Sequence, residues 1–386
     1  MGKKADKLFD GFDEETKLKL QIIRLYFREW IPVFLAKRPR AFQSVFVADL
    51  FSGKGQDAKG EEGSPLIILD EFRKFFASSE NVWNGTKSYL LFNDYNPKTY
   101  EELRENLKRK GEDCAQGCKL FAQNVKHRVE NRPFQEVFKE YARTLKSPST
   151  ACFLLLDQYG FKEVTVELLK EIAKFPAVDL IFFVSSSAVF RFARESSKNK
   201  GTITNYIPVN PSEVEELDSS QVHRYVCRTF SQAINEPNYH FAPFSLKSQN
   251  GNINGVIFGT KNLLGLQKFL DVAWKLDGSA GEANFNINDD RDLPLFPELS
   301  VPVKWQEFKA ELLDFIKENQ PDNLQIYRFA LLNGVATVVA KKILENLCND
   351  NLIKIEPLVN KVKAGTFYLD YKYYKTGDRR IRVLRS

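Results

Sequence analysis

Short apolar runs alternate with amphipathic stretches through most of this chain. Between residues 14 and 35, Leu18, Ile22, Tyr26 and Trp30 recur every four positions, which predicts a helix with one apolar face. Pro39 closes that segment. Strands are predicted at 44–51, 87–94, 120–124, 152–157 and 178–184, with helices between them at 65–76, 97–109, 134–145 and 164–175. Several strand runs are apolar without alternation, as expected where helices cover both faces. Strands joined through helices run parallel with right-handed crossovers, so the pattern predicts a doubly wound α/β sheet. Pro208, Pro211, Pro237 and Pro243 break the periodicity of 196–250, where only 220–234 reads as a helix, and an insertion is expected there. Strands at 255–260 and 283–287, flanking a helix at 263–275, are expected to complete the sheet.

After an Asp- and Pro-rich linker at 288–302 the pattern turns helical, at 305–318, 324–332 and 337–349, with Gly334 at the middle turn. A strand at 352–355 follows, then a hairpin pairing 366–374 with 380–384 about Gly377. Three helices and a basic hairpin predict a winged helix-turn-helix. The expected organisation is an N-terminal helical segment (1–40), a Rossmann-like doubly wound domain with an insertion at 196–250 (41–290) and a winged-helix domain (303–386).

Composition permits cores of this size, since 43% of the 386 residues are hydrophobic. The five cysteines are scattered and odd in number, so no disulfide framework is predicted. Cys114 and Cys118 stand four apart without a second close Cys/His pair, so no metal site is predicted either. The N-terminus lacks the apolar core of a signal peptide, and no run reaches the roughly 18 apolar residues of a membrane span. The expected location is cytoplasmic. Net charge is +6, and in 357–386 eight basic residues face two acidic ones, so that tail accounts for all of it.

The stretch VADLFSGKG (47–55) carries the most chemistry. A buried strand ends at Asp49 and enters a turn holding Gly53 and Gly55, where an open parallel sheet binds its ligands. A carboxylate at the strand end repels a pyrophosphate and suits the cationic amino-acid portion of S-adenosylmethionine. Asp49, Phe51, Gly53 and Gly55 are the candidate donor residues of this turn. Gly53, Gly55 and Ala58 also satisfy the dinucleotide spacing, but that fingerprint opens directly into a helix. Here 59–63 intervene before Ser64, the expected N-cap, and Pro65. The dinucleotide reading stays open as the rival.

The second strand ends in LLFNDYNP, which offers Asp94 to the ribose hydroxyls and Tyr95 to the adenine, and Asn124 is a candidate for the adenine edge. The fourth strand ends in LLLDQYG, at the position that faces the transferred methyl. There Asp157 is a proton acceptor or orienting group, Gln158 a hydrogen-bonding partner and Tyr159 a stacking ring for the acceptor. The alternative is that Asp157 only closes the donor pocket. Ser185, Ser186 and Ser187 are read as loop, since no histidine stands in a companion motif. In the tail, Lys372, Lys375, Arg379, Arg380 and Arg382 interleave with Tyr368, Tyr371, Tyr373 and Tyr374, a pattern suited to phosphates and bases of DNA or RNA.

FDEETKLKLQIIRLYFREW (12–30), DLFSGKG, EEGSPL (61–66), LLDQYG and WKLDGSAGE (274–282), in this order, resemble the three-Cys-motif partner protein family of bacteria. The resemblance covers most of the chain. It implies a methyltransferase-like fold and a companion protein carrying three clustered cysteines, without a firmly established reaction. The family's aspartate-proline-aromatic-glycine matches Asp157, Tyr159 and Gly160, with Gln158 in place of the proline. Its acid-glycine-serine stretch matches Glu62, Gly63 and Ser64, which places Glu62 and Ser64 beside the donor. The function expected is S-adenosylmethionine-dependent methyl transfer to nucleic acid or to a substrate delivered by that partner. The alternative is a catalytically degenerate fold that binds nucleic acid and serves as the partner's scaffold.

Overall fold

A computed structural model describes residues 11–36, 39–78, 83–158, 162–194, 204, 206–285 and 303–386. The chain divides into two compact units, Met1–Asn262 and Leu263–Ser386.

The first unit opens with α1 (Glu14–Leu35), as the apolar spacing predicts. Asp13 caps it by accepting from the Thr16 amide at 2.8 Å. Then follow β1 (Ser44–Asp49), α2 (Ser64–Ser78), β2 (Lys87–Asn93), α3 (Pro97–Gly117), α4 (Lys119–Asn124), β3 (Val125–Glu130) and α5 (Phe134–Leu145). The remainder is β4 (Thr150–Leu156), α6 (Val166–Lys174), β5 (Val178–Val184), α7 (Ser186–Arg194), α8 (Pro211–Glu216), α9 (Val222–Ile234), β6 (His240–Lys247) and β7 (Ile253–Thr260). The seven strands form one sheet in the order β3-β2-β1-β4-β5-β7-β6, parallel except for the antiparallel pairings of β7. Every residue of β4 and β5 is buried, because helices cover both faces. On one face α5, α6, α7 and α9 pack against Phe46, Leu154, Leu156 and Phe182. On the other, Tyr26 and Phe27 of α1 set their rings 5.7 and 4.7 Å from Phe153. Buried Asp179 of β5 anchors α1 there, accepting from Trp30 Nε1 at 2.9 Å and Tyr26 Oη at 3.1 Å.

Four expectations change here. Residues 120–124 form the end of helix α4, and the third strand starts at Val125. A five-residue apolar run is ambiguous between strand and helix, and β3 was masked by the polar residues an edge strand exposes. The segment expected as an insertion holds the sixth strand, β6, whose Pro243 is tolerated because β6 is the sheet edge. Ala283–Phe285 is irregular instead of a strand, and 286 and 287 lie outside the described residues. Ser186 and Ser187 open α7 instead of lying in a loop. Ser186 is buried with its hydroxyl 3.3 Å from His223 Nδ1, while His223 Nε2 sits 3.2 Å from the Val256 carbonyl. Sealed from solvent, that pair is a packing element.

In the second unit, α10 (Leu263–Leu276) groups with α11 (Val303–Asn319), α12 (Asn323–Leu332) and α13 (Thr337–Asn349), not with the sheet as expected. The WKLDGSAGE motif explains this grouping. Trp274 Nε1 donates to the Gly334 carbonyl at 2.9 Å, and Asp277 accepts from the amides of Ser279, Ala280, Glu282 and Ala283. β8 (Ile353–Pro357), α14 (Tyr371–Thr376) and β9 (Ile381–Arg385) close the chain. The expected hairpin is corrected: β9 pairs antiparallel with β8, and Tyr371–Thr376 is a short helix. Asp370 caps that helix through the Lys372 amide, and Gly377 ends it at φ 67°. Both are ordinary helix-boundary signals that outweigh the Tyr/Lys alternation. Among the described residues no helix is long and apolar enough to cross a membrane.

Candidate ligand site at the carboxyl edge of the sheet

The strand order reverses between β1 and β4, which places a switch point at their carboxyl ends. Asp49 ends β1, fully buried, with its carboxylate accepting from Ser64 Oγ at 2.7 Å. Burial is the main cause that raises its pKa to about 7, the Ser64 bond opposes the rise, and the nearby Asp157 charge adds to it. Direct contact between Asp49 and a ligand is thereby corrected, because Ser64 at the head of α2 covers the carboxylate. The expected capping role of Ser64 gives way to this bond.

Gly53 holds φ 61°, and a Cβ added there would meet open space. Its amide donates to Asp94 Oδ2 at 3.0 Å, and the Ser52 amide donates to the Asn93 carbonyl at 2.9 Å. Asp94 also accepts from the Asn96 amide at 2.9 Å, and burial raises its pKa against these two bonds. A carboxylate has about four lone-pair sites, so two remain for a diol. Tyr95 beside it is 70% exposed. Gly55 serves packing, with Leu103 Cδ1 3.2 Å from where its Cβ would stand, and Phe51 lies 5.0 Å from the Phe134 ring. Glu62 is ion-paired with Arg24 at 3.3 Å and Lys110 at 2.6 Å, in a seam joining α1, α2 and α3. Asn124 is placed at the opposite end of the sheet. It accepts from Lys87 Nζ at 2.7 Å where β2 begins, so its expected role at the adenine edge is corrected.

Asp157 follows β4, half-buried, and pairs with Lys19 of α1. Lys19 Nζ also stands 4.7 Å over the Phe183 ring at the end of β5. One turn earlier on α1, Glu15 accepts from Asn254 of β7, and burial raises its pKa. Neither Glu15 nor Lys19 is legible as a site residue, because only the packing of α1 on the sheet brings them to this edge. Gln158 Oε1 accepts from the amides of Glu163 and Val164 at 2.8 and 3.0 Å, so it shapes the following loop. Tyr159 lies outside the described residues.

In the second unit Arg379 pairs with Asp322 at 3.0 Å, Arg380 with Asp378 at 2.8 Å and Arg382 with Glu356 at 3.5 Å. Lys372 and Lys375 are exposed on α14. The tyrosines are largely committed to packing: Arg380 lies 5.4 and 5.3 Å over Tyr368 and Tyr373, and Tyr374 meets Tyr327 at 5.4 Å.

Fold and edge chemistry together define a Rossmann-like α/β protein with Asp94, Asp157 and Lys19 at the carboxyl edge of its sheet. No family model matches the sequence, and none of the curated proteins matches it. Among solved structures it is similar to Trm1 from Pyrococcus horikoshii in complex with S-adenosyl-L-methionine, at 9% identity over 97% of this chain and 91% of that one, TM-score 0.39. It is also similar to a putative O-methyltransferase from Klebsiella pneumoniae (14% identity, 66% and 94% of the two chains, TM-score 0.32). A third is the O-methyltransferase from Bacillus cereus in complex with SAH (10% identity, 66% and 94%, TM-score 0.31).

Proposed function

We propose that this protein is an S-adenosylmethionine-dependent methyltransferase acting on nucleic acid or on a substrate delivered by a partner protein. The observation that carries this reading is the Gly53 amide donating to Asp94. In a phosphate-binding turn such amides face the ligand's anion, whereas here the turn is closed on a carboxylate, with Asp49 buried at its start and the Asp157 charge acting on Asp49. A sulfonium-bearing amino acid suits that field and a pyrophosphate does not. Ser64, Gly53, Asp94 and Tyr95 would hold the donor, which supplies the methyl group. Asp157 would orient the acceptor or take its proton. Calorimetry decides between the ligands. Binding of S-adenosylmethionine without binding of NAD is the expected result, and no binding at millimolar donor would end the reading.

The β8–β9 pair after α12 and α13 supports a winged helix-turn-helix as the nucleic-acid module, with Lys372, Lys375, Arg379, Arg380 and Arg382 on phosphates. An exposed ion pair such as Arg382–Glu356 is weak, at about 0–1 kcal/mol, so that arginine exchanges readily onto a phosphate. The five motifs quoted above support membership of the three-Cys-motif partner family and hence a companion protein, which co-purification from the native host tests.

Two observations favour a second reading, a degenerate scaffold: Asp157 is already paired with Lys19, and the Gln158 side-chain oxygen is used by the loop. Asp157→Ala separates the two. A methyltransferase loses cellular function with donor binding retained, whereas a scaffold keeps both.

A further inference from the structure

We infer that Lys19 is the residue that recognises the carboxylate of the donor's amino-acid portion, making α1 a wall of the ligand site. This rests on the donor proposed above and goes beyond it by assigning specificity to a helix outside the glycine turn. Glu15 and Lys19 are four residues apart on α1 and so share one face. Both meet the carboxyl edge, Glu15 through Asn254 at the start of β7 and Lys19 through Asp157 and Phe183 at the ends of β4 and β5.

Charge and donor supply explain why this position matters. The edge carries the carboxylates of Asp94, Asp157 and Glu15, with Asp49 sealed behind Ser64, and these suit a sulfonium and an ammonium but repel the carboxylate of the same ligand. The Ser52 and Gly53 amides are already bonded within the protein. Lys19, paired with one of these carboxylates, brings positive charge to the edge. Its ammonium has three donor hydrogens, so it can keep Asp157 and still take a ligand carboxylate. The Phe183 ring holds it in place from one side. Its side chain is only 20% exposed, so the pairing is less screened than on an open surface.

The test compares S-adenosylmethionine with decarboxylated S-adenosylmethionine, which differs by the carboxylate alone, by calorimetry on the full chain. Wild type is expected to prefer the carboxylated compound by about tenfold or more, the scale of a charge-assisted hydrogen bond. In Lys19→Met that preference collapses through loss of affinity for S-adenosylmethionine, while affinity for the decarboxylated compound stays or rises. Lys19→Arg restores part of the preference. Thermal melting of each variant shows whether it folds, and Lys19→Gln replaces Lys19→Met should the latter unfold. Preference retained in Lys19→Met, or no preference in wild type, overturns the assignment while leaving the donor reading intact. Wild type that binds neither compound ends both.

Discussion

A carboxylate sealed beneath a serine hydroxyl sets the pH behaviour of the carboxyl edge. Burial holds Asp49 at about 7 in the free protein, so near neutrality it is only part ionised. A cation bound beside it favours the ionised form, so binding drives off a proton and affinity grows as pH rises through 7. S-adenosylmethionine is therefore expected to bind several-fold more tightly at pH 8 than at pH 6, with proton release visible as a dependence of calorimetric heat on the buffer. A flat affinity profile would sink this coupling. The acid was legible in the sequence as the end of an apolar run entering a glycine turn. Its concealment was not, since that depends on Ser64 of α2 arriving over the tip of β1. Asn124 misled for a related reason: its place at a strand end rested on a run that folds as a helix, and that moved it to the far edge of the sheet.

At the scale of elements, α1 is held by a buried acid. Asp179 accepts from Trp30, Tyr26 and Thr260, and burial outweighs these three bonds to raise its pKa to about 6. Because the folded value is raised above the ordinary 3.8, the contribution to stability is full below about pH 4 and is lost as pH rises through 6. Unfolding free energy measured by urea between pH 4 and 7.5 should fall with this signature in wild type, and the slope should be shallower in Asp179→Asn. Equal slopes in the two proteins would remove Asp179 as the cause. On α14, Gly377 sits at φ 67° as the residue after the helix. Gly377→Ala is expected to destabilise the second unit by about 1 kcal/mol, read as a lower urea midpoint. Helices α1, α5 and α13 match the periodicity to the residue. Elements were missed where local signals conflict, as with Pro243 inside β6 or the polar face of β3.

On the whole-molecule scale, the chain carries its formal charge and its candidate donor chemistry in different units. Arg379→Ala with Arg380→Ala should weaken DNA or RNA binding and reduce the slope of affinity against salt by up to roughly 2. Donor affinity should be untouched, because the described partners of these arginines, Asp322 and Asp378, are not among the candidate donor residues. Unchanged nucleic-acid affinity, measured by fluorescence anisotropy across a salt series, would remove the tail from the interface. The resemblance motifs divide in the same way. DLFSGKG and EEGSPL build the glycine turn and its cover, LLDQYG ends β4, and WKLDGSAGE ties α10 to the Gly334 turn.

Local sequence by itself determined the alternating α/β architecture and the acid at the tip of β1 through hydrophobic spacing, and the basic tail through its charge count, because each depends on neighbours a few residues apart. The tertiary structure decided which acids are sealed and which are offered, that β6 joins the sheet across a proline, and that Glu15 and Lys19 stand with Asp157. Ser64 reaches Asp49 only when α2 folds back over β1, and Lys19 meets Asp157, and Glu15 meets Asn254, across more than a hundred residues in a medium of low dielectric, so no local pattern encodes these meetings.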